Sequence, residues 1–197
     1  HSTFAAKLVG ETGSVVAFEP NPILHRQLNV NCRLNNFNNV RAVKFAVGSI
    51  NGAATLMANK SHFGGGQTSF EIINDHEDRE IDTFQVEIRR LDKLISLDEA
   101  TRCKVAKIDV EGNELDVVRS ASTLFGDKFR PYVVLEYIDH EHQTREQVYK
   151  YFEENRDSFE IKYQSRFDDF QDKIDDNDKC VFKDINTDTE LVFWNSM

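Results

Sequence analysis

The stretch Ser14-Val15-Val16-Ala17-Phe18-Glu19-Pro20-Asn21-Pro22 decides the fold. Val15 to Phe18 is an apolar run of strand length without polar alternation, the pattern of a strand buried on both faces of a parallel sheet. Glu19-Pro20 stops it abruptly. Asn21 can then accept from free backbone N–H groups as a helix N-cap, and Pro22 brings the fixed φ that suits a first helical position. Ile23, Leu24, Leu28 and Leu34 follow at helical spacing, so the sequence predicts a helix from Pro22 to about Asn35. The Asn-rich run after it is a turn by composition, and Val40 to Val47 reads as a second strand closed by Gly48. Upstream, Phe4, Ala5 and Leu8 give Ser2 to Leu8 helical spacing, ended by Gly10.

The alternation returns from Lys104. Val105 to Ile108 is a strand ending at Asp109-Val110-Glu111-Gly112. Leu115, Val118, Ala121 and Leu124 or Phe125 mark one helix face, with a stop at Gly126. Tyr132 to Leu135 is another buried strand, ending at Glu136, and a helix over Thr144 to about Asn155 turns Val148, Tyr151 and Phe152 inward. Strands at 159–163 and Leu191–Trp194 close the chain, separated by an acidic stretch, Asp168 to Asp178, that reads as a solvated loop. Trp194 and the many Phe residues read as core. Between the two halves lies an insertion. Ala53 to Met57 and Thr83 to Arg89 are short strands, the second alternating like a half-solvated antiparallel strand. The polar stretch between them, with Gly64-Gly65-Gly66, reads as a loop, either a lid over a cleft or plain disorder. Leu91 to Leu97 reads as a short helix. Strands alternating with helices imply one α/β domain over residues 1–197, with a mainly parallel sheet covered on both faces. Ligands of such sheets bind beyond the carboxyl ends of the strands, where Glu19, Asp109 and Glu136 stand.

Composition narrows the function. The chain has 197 residues, 40% hydrophobic and 29% charged, an ordinary globular balance with enough length to bury a core. A net charge of −10 opposes a phosphate backbone, and the one short basic cluster is Arg89-Arg90, so no nucleic-acid partner is expected. No apolar run approaches the ~20 residues that span a bilayer, and the N-terminus lacks the layout of a signal peptide. No membrane segment is expected. Cys32, Cys103 and Cys180 are an odd number without CxxC spacing, which argues against a disulfide framework or zinc knuckle and for a reducing, cytoplasmic compartment.

Two constellations could carry chemistry. A carboxylate at a strand tip, such as Glu19, can accept both hydroxyls of a ribose, although any surface Glu can also end a strand. Asp109 and Glu111 lie two apart, so in an extended segment both point to one side of a cleft. Paired carboxylates can bind an ammonium, share a proton or act as general base on a hydroxyl. The plainer reading of Glu111 is that it compensates the N-terminus of the following helix. The glycine run lacks the Lys-Ser/Thr and the preceding buried strand of a phosphate loop. His140 and His142 have metal-like composition without a third ligand, so no metal site is expected, and either could instead be a base near the cleft.

Three segments carry a family resemblance: Val15 to Pro22, Arg90-Leu91-Asp92-Lys93-Leu94-Ile95, and Ala106-Lys107-Ile108-Asp109-Val110-Glu111-Gly112-Asn113-Glu114. In order and spacing they resemble the FkbM-type methyltransferases, as does the later Val133-Val134-Leu135-Glu136. The resemblance implies a Rossmann-like class I methyltransferase sheet, mostly parallel with an antiparallel C-terminal strand. It implies S-adenosyl-L-methionine as cofactor, and methyl transfer to a hydroxyl of a small-molecule acceptor, a sugar or polyketide-like secondary metabolite. By position, Glu19 with Asn21 would bind the cofactor at its ribose, Ala46 and Val47 would lie near the adenine, and Asp109 near the methionine end or the acceptor. Asp109, Glu111 and Glu136 are the candidate catalytic acids, with His140 behind them. One departure matters: the family's first strand and its Asp-x-Gly-x-x-x-Gly loop are absent ahead of His1. Its neighbours in the sheet are therefore expected to lack ladder partners, and the chain to bind cofactor weakly or not at all. Two other readings stay open on the residues alone: a nicotinamide-dependent oxidoreductase using Glu19 for its ribose, and a non-catalytic scaffold binding a partner through the acidic tail.

Overall fold

Val15–Phe18 forms β1, and its four side chains are all buried. Alternate side chains of a strand point to opposite faces, and β1 thereby serves two cores. Val16 and Phe18 join the main core with Ala106, Ile108, Val133 and Leu135. Val15 packs on the other side with Ala5 and Ala6 of helix α1, Ser2–Val9. The computed structural model describes residues 1–59, 66–69, 81–122, 124, 131–136, 143–154, 160–164, 179–183 and 190–194.

Helix α2, Pro22–Leu34, begins as its sequence predicts: Asn21 Oδ1 accepts from the N–H groups of Ile23 (2.9 Å) and Leu24 (3.4 Å). It leads to β2, Val40–Val43, parallel to β1. The expected single strand from Val40 to Val47 is two. The chain leaves the first sheet at Lys44, and Ala46–Val47 forms β3 in a second sheet. That sheet also holds β4 (Gly52–Asn59), β5 (Gly66–Ser69) and β6 (Ile81–Arg89), in the order β3-β6-β4-β5. Its core is Ala46, Ala54, Leu56, Val86 and Ile88. The alternation read in β6 holds: Val86 and Ile88 are buried, Gln85 and Glu87 exposed. Gly66–Ser69, read as loop, instead pairs antiparallel with β4, and residues 60–65, Gly64 and Gly65 included, and 70–80 lie outside the described residues.

The segment from Leu91 to Leu97 is not one helix. A 3-10 turn over Leu91–Lys93 is followed by α3, Leu97–Arg102. A reciprocal cap starts α3: Ser96 Oγ accepts from the Glu99 N–H (3.1 Å) and Glu99 Oε2 from the Ser96 N–H (2.7 Å). The Arg90-Leu91-Asp92 motif is a joint. Arg90 pairs with Asp92 at 2.9 Å and donates to the carbonyls of Ser49 (3.0 Å) and Ser120 (3.2 Å), while the Leu91 N–H donates to Ser120 Oγ. It ties the second sheet to α4, Glu114–Ser120.

The remaining elements are β7 (Cys103–Ile108), β8 (Tyr132–Glu136), α5 (Arg145–Glu154), β9 (Glu160–Gln164), β10 (Lys179–Lys183) and β11 (Glu190–Trp194). The first sheet runs β2-β1-β11-β7-β8-β10-β9. Its first five strands are parallel, and β10 is antiparallel to both neighbours. Two expectations therefore change. The antiparallel strand is β10, which the sequence reading passed over, and the last strand, β11, is parallel and central. Because β11 pairs with both β1 and β7, the neighbours expected to lack partners have them. Among the described residues no helix is long and apolar enough to cross a membrane.

Candidate functional site

Parallel strands present their carboxyl ends on one edge, and here that edge gathers the acids. β1 ends at Phe18, so Glu19 is the first residue beyond it; its N–H donates to the Val43 carbonyl at 3.0 Å, keeping it in line with β2. β7 ends at Ile108, ahead of Asp109, and Ile108 is in register with Leu135, so Glu136 stands level with Asp109 on the adjacent strand. Only β11 lies between β1 and β7. At the usual ~4.8 Å between strands, the tips carrying Glu19 and Asp109 are about 10 Å apart. They share one edge.

Glu19 is 2% exposed, and its Oε1 accepts from the Asn21 N–H at 2.8 Å. Loss of hydration pushes its carboxyl up from 4.5 to about 8, against the opposing pull of that N–H. Such a group is an acceptor in want of further donors. Asn21 is buried beside it, with its side-chain oxygen committed to capping α2.

The turn after β7 is built differently. Asp109 forms an ion pair with Lys107 two residues back on the same strand, so the edge carries an ammonium as well as acids. Glu111 and Gly112 follow with φ of 52° and 100°, both in the left-handed region. For a glutamate this costs on the order of 1 kcal/mol or more and persists only where surroundings enforce it. Glu114 enforces it. Fully buried, it accepts through Oε1 from the N–H groups of Val110 (3.1 Å) and Gly112 (3.2 Å), and through Oε2 from Gln143 Nε2 (2.6 Å). Gln143 Oε1 in turn accepts from the Leu115 N–H at 2.8 Å. Glu111 therefore leaves the strand direction, and the simple expectation that Asp109 and Glu111 point the same way from an extended segment gives way to a turn.

Ala46 and Val47 lie shortly beyond the carboxyl end of β2 but turn into the second sheet. Ala46 is buried in that sheet's core and Val47 packs against the main core. Of Glu136 the backbone position is described, and His140 and His142 lie outside the described residues. Lys107, Glu114 and Gln143 were not singled out from sequence. Lys107 and Glu114 stand inside the quoted motif, whereas Gln143 carries no local signal.

The model of the Methyltransferase FkbM domain matches residues 1–174. The chain belongs to the FkbM methyltransferase family. The match takes in Glu19, the Asp109–Glu114 turn and Glu136, and β10 and β11 lie beyond the matched residues. No curated protein and no solved structure matches the chain.

Proposed function

We propose that this FkbM-family chain is an S-adenosyl-L-methionine-dependent O-methyltransferase acting on a hydroxyl of a small acceptor, a sugar or polyketide-like metabolite. The observation that carries the reading is Glu19, a buried, poorly hydrated carboxyl at the tip of β1 on the same sheet edge as Asp109. Two ribose hydroxyls are the donors such an acid lacks, so the residues fit the cofactor. We read the first sheet as Rossmann-like class I, with β11 in the place of the family's first strand. Glu19 with Asn21 holds the ribose, Ala46 and Val47 border the adenine, and Asp109 lies toward the methionine end or the acceptor. When bound, the cofactor supplies a methyl already activated on a sulfonium sulfur. The chain's own task is to align the acceptor oxygen and to take its proton as it becomes acidic. Asp109 is our first choice as base, oriented by Lys107, followed by Glu111, then Glu136 and His140. Family membership favours methyl transfer over the nicotinamide-dependent alternative.

Calorimetric titration of S-adenosylhomocysteine into the protein and its Glu19→Ala variant tests this reading. Weak but measurable binding, lowered at least tenfold in the variant, is expected from the loss of two hydrogen bonds to the buried carboxyl at about 1 kcal/mol each. Equal affinities, or binding by neither protein, overturn it. The acceptor is then sought by mass spectrometry of extracts incubated with the protein and labelled S-adenosylmethionine.

A further inference from the structure

Helices α1 and α2 touch each other on one face of the sheet, and each carries a second apolar face turned away from the core. On α2 the inward side is Leu24, Leu28 and the buried Cys32. Ile23, Val30 and Leu34 are spaced by seven and then four residues, so at 3.6 residues per turn they fall in one stripe about 40° wide and ~17 Å long. That stripe points the other way: Leu34 is 76% exposed, and Ile23 and Val30 are exposed with it. On α1, Phe4 and Leu8 stand one turn apart, each 64% exposed, while Ala5 and Ala6 face inward. A helix with apolar residues on both sides has more apolar surface than its own core uses.

The charges on this surface have one sign. Neither helix contains an Asp or Glu, although the chain holds 34 of them in 197 residues. Lys7 on α1, and Arg26 and Arg33 beside the α2 stripe, are all exposed. The acid nearest in sequence is Glu11, exposed in the turn after α1. A cationic, apolar patch has thus been kept on a protein of net charge −10.

We propose that the outer face of α1 and α2 is a docking surface that lays this protein on an anionic lipid bilayer. Interfacial helices combine these two features, apolar side chains that enter the acyl boundary and cations that meet anionic headgroups. A symmetric pairing of two copies through the same face would set Lys7, Arg26 and Arg33 against their own counterparts. A partner helix would need a groove to receive it, and these side chains stand outward on two helices. The net negative charge of the whole chain repels an anionic surface, so this face also sets the orientation of docking. The proposal does not depend on the methyl-transfer reading.

Co-sedimentation of the chain with vesicles of phosphatidylcholine alone, or with phosphatidylserine added, tests the proposal. Binding is expected to the phosphatidylserine vesicles and to weaken with salt. Arg26→Gln with Arg33→Gln should lower it about 25-fold, at roughly fivefold for each cation near an anionic surface. Leu8→Gln with Leu34→Gln should lower it at least tenfold, since each removes an apolar side chain that would enter the acyl boundary. These positions are exposed, so both variants should keep the thermal midpoint of the parent. Absence of binding to anionic vesicles, equal binding to neutral ones, or binding that neither variant alters overturns the proposal. So does retention on polyglutamate, or a dimer abolished by the same substitutions, when vesicle binding is absent.

Discussion

Glu19 and Glu114 are both buried acids, yet their surroundings give them opposite duties. Glu114 has three N–H donors, which satisfy it and freeze the turn beyond β7. Glu19 has the Asn21 N–H, and burial raises its carboxyl to about 8. A folded-state value above the unfolded 4.5 means the folded chain binds the extra proton. The stabilisation this gives is fully present below pH 4.5 and is lost as pH rises through about 8. Within that window the slope approaches about 1.4 kcal/mol per pH unit. Urea unfolding at pH 5 and pH 8 should show the wild type losing stability relative to Glu19→Gln, and identical pH profiles would show that Glu19 does not titrate there. For Glu114→Ala, three buried N–H groups lose their acceptor, each at about 1–3 kcal/mol. A loss of at least ~3 kcal/mol in urea unfolding is expected. Glu114→Gln should cost less, because its oxygen still serves Val110 and Gly112 while its amide faces the Gln143 nitrogen, donor against donor. A Glu114→Ala protein as stable as wild type would refute the network. The place of Asp109 just beyond a strand end was legible from sequence. The role of Glu114 was not, because its partner Gln143 is 29 residues away.

The elements written in local chemistry were legible, and those set by distant partners were not. Asn21 and Pro22 announced α2, and the structure shows the cap bonds. Asn21→Ala removes the acceptor of two N–H groups but keeps the backbone N–H that reaches Glu19, so a loss of about 1 kcal/mol is expected. Thermal unfolding measures it, and a loss below a few tenths would mean the cap is idle. By contrast, Val40 to Val47 has one unbroken strand pattern but divides at Lys44, since Val43 has the main core to fill and Ala46 the second sheet. Gly48 shows how close that second sheet packs. Its N–H donates to the Arg89 carbonyl at 3.1 Å, and a Cβ there would come within 2.9 Å of Ile88 Cγ2. Leu91 to Leu97 has one apolar face, but the Ser96–Glu99 cap starts a separate helix at Leu97. That cap has a tertiary hold as well, since Glu99 Oε1 pairs with Arg41 of β2 at 2.6 Å.

At the scale of the molecule, the order of strands carries information that no window of sequence holds. Leu191–Trp194 reads as a strand by composition, but nothing local says that it enters between β1 and β7. The register does: Val192 is opposite Val16 on one side and Ala106 on the other. Both partners belong to strands buried in the main core, so water cannot replace a missing ladder there. A chain ending at residue 189 would leave the facing edges of β1 and β7 unpaired. At about 1–3 kcal/mol for each buried polar group left without a partner, a few such groups match the ~5–15 kcal/mol that holds a domain together. The shortened chain should therefore lose its cooperative thermal transition and expose apolar surface to a dye such as ANS. Val192→Pro makes the same test with one residue, because proline donates no hydrogen bond and belongs at sheet edges, not in central strands. Its midpoint should fall steeply, whereas a proline at the edge position Arg41, whose partner lies on β1 alone, should be milder. If both shortened and proline-bearing chains melted like the parent, β11 could not be the strand that joins the two halves of the sheet, and Glu19 and Asp109 would need some other element to hold them on a common edge.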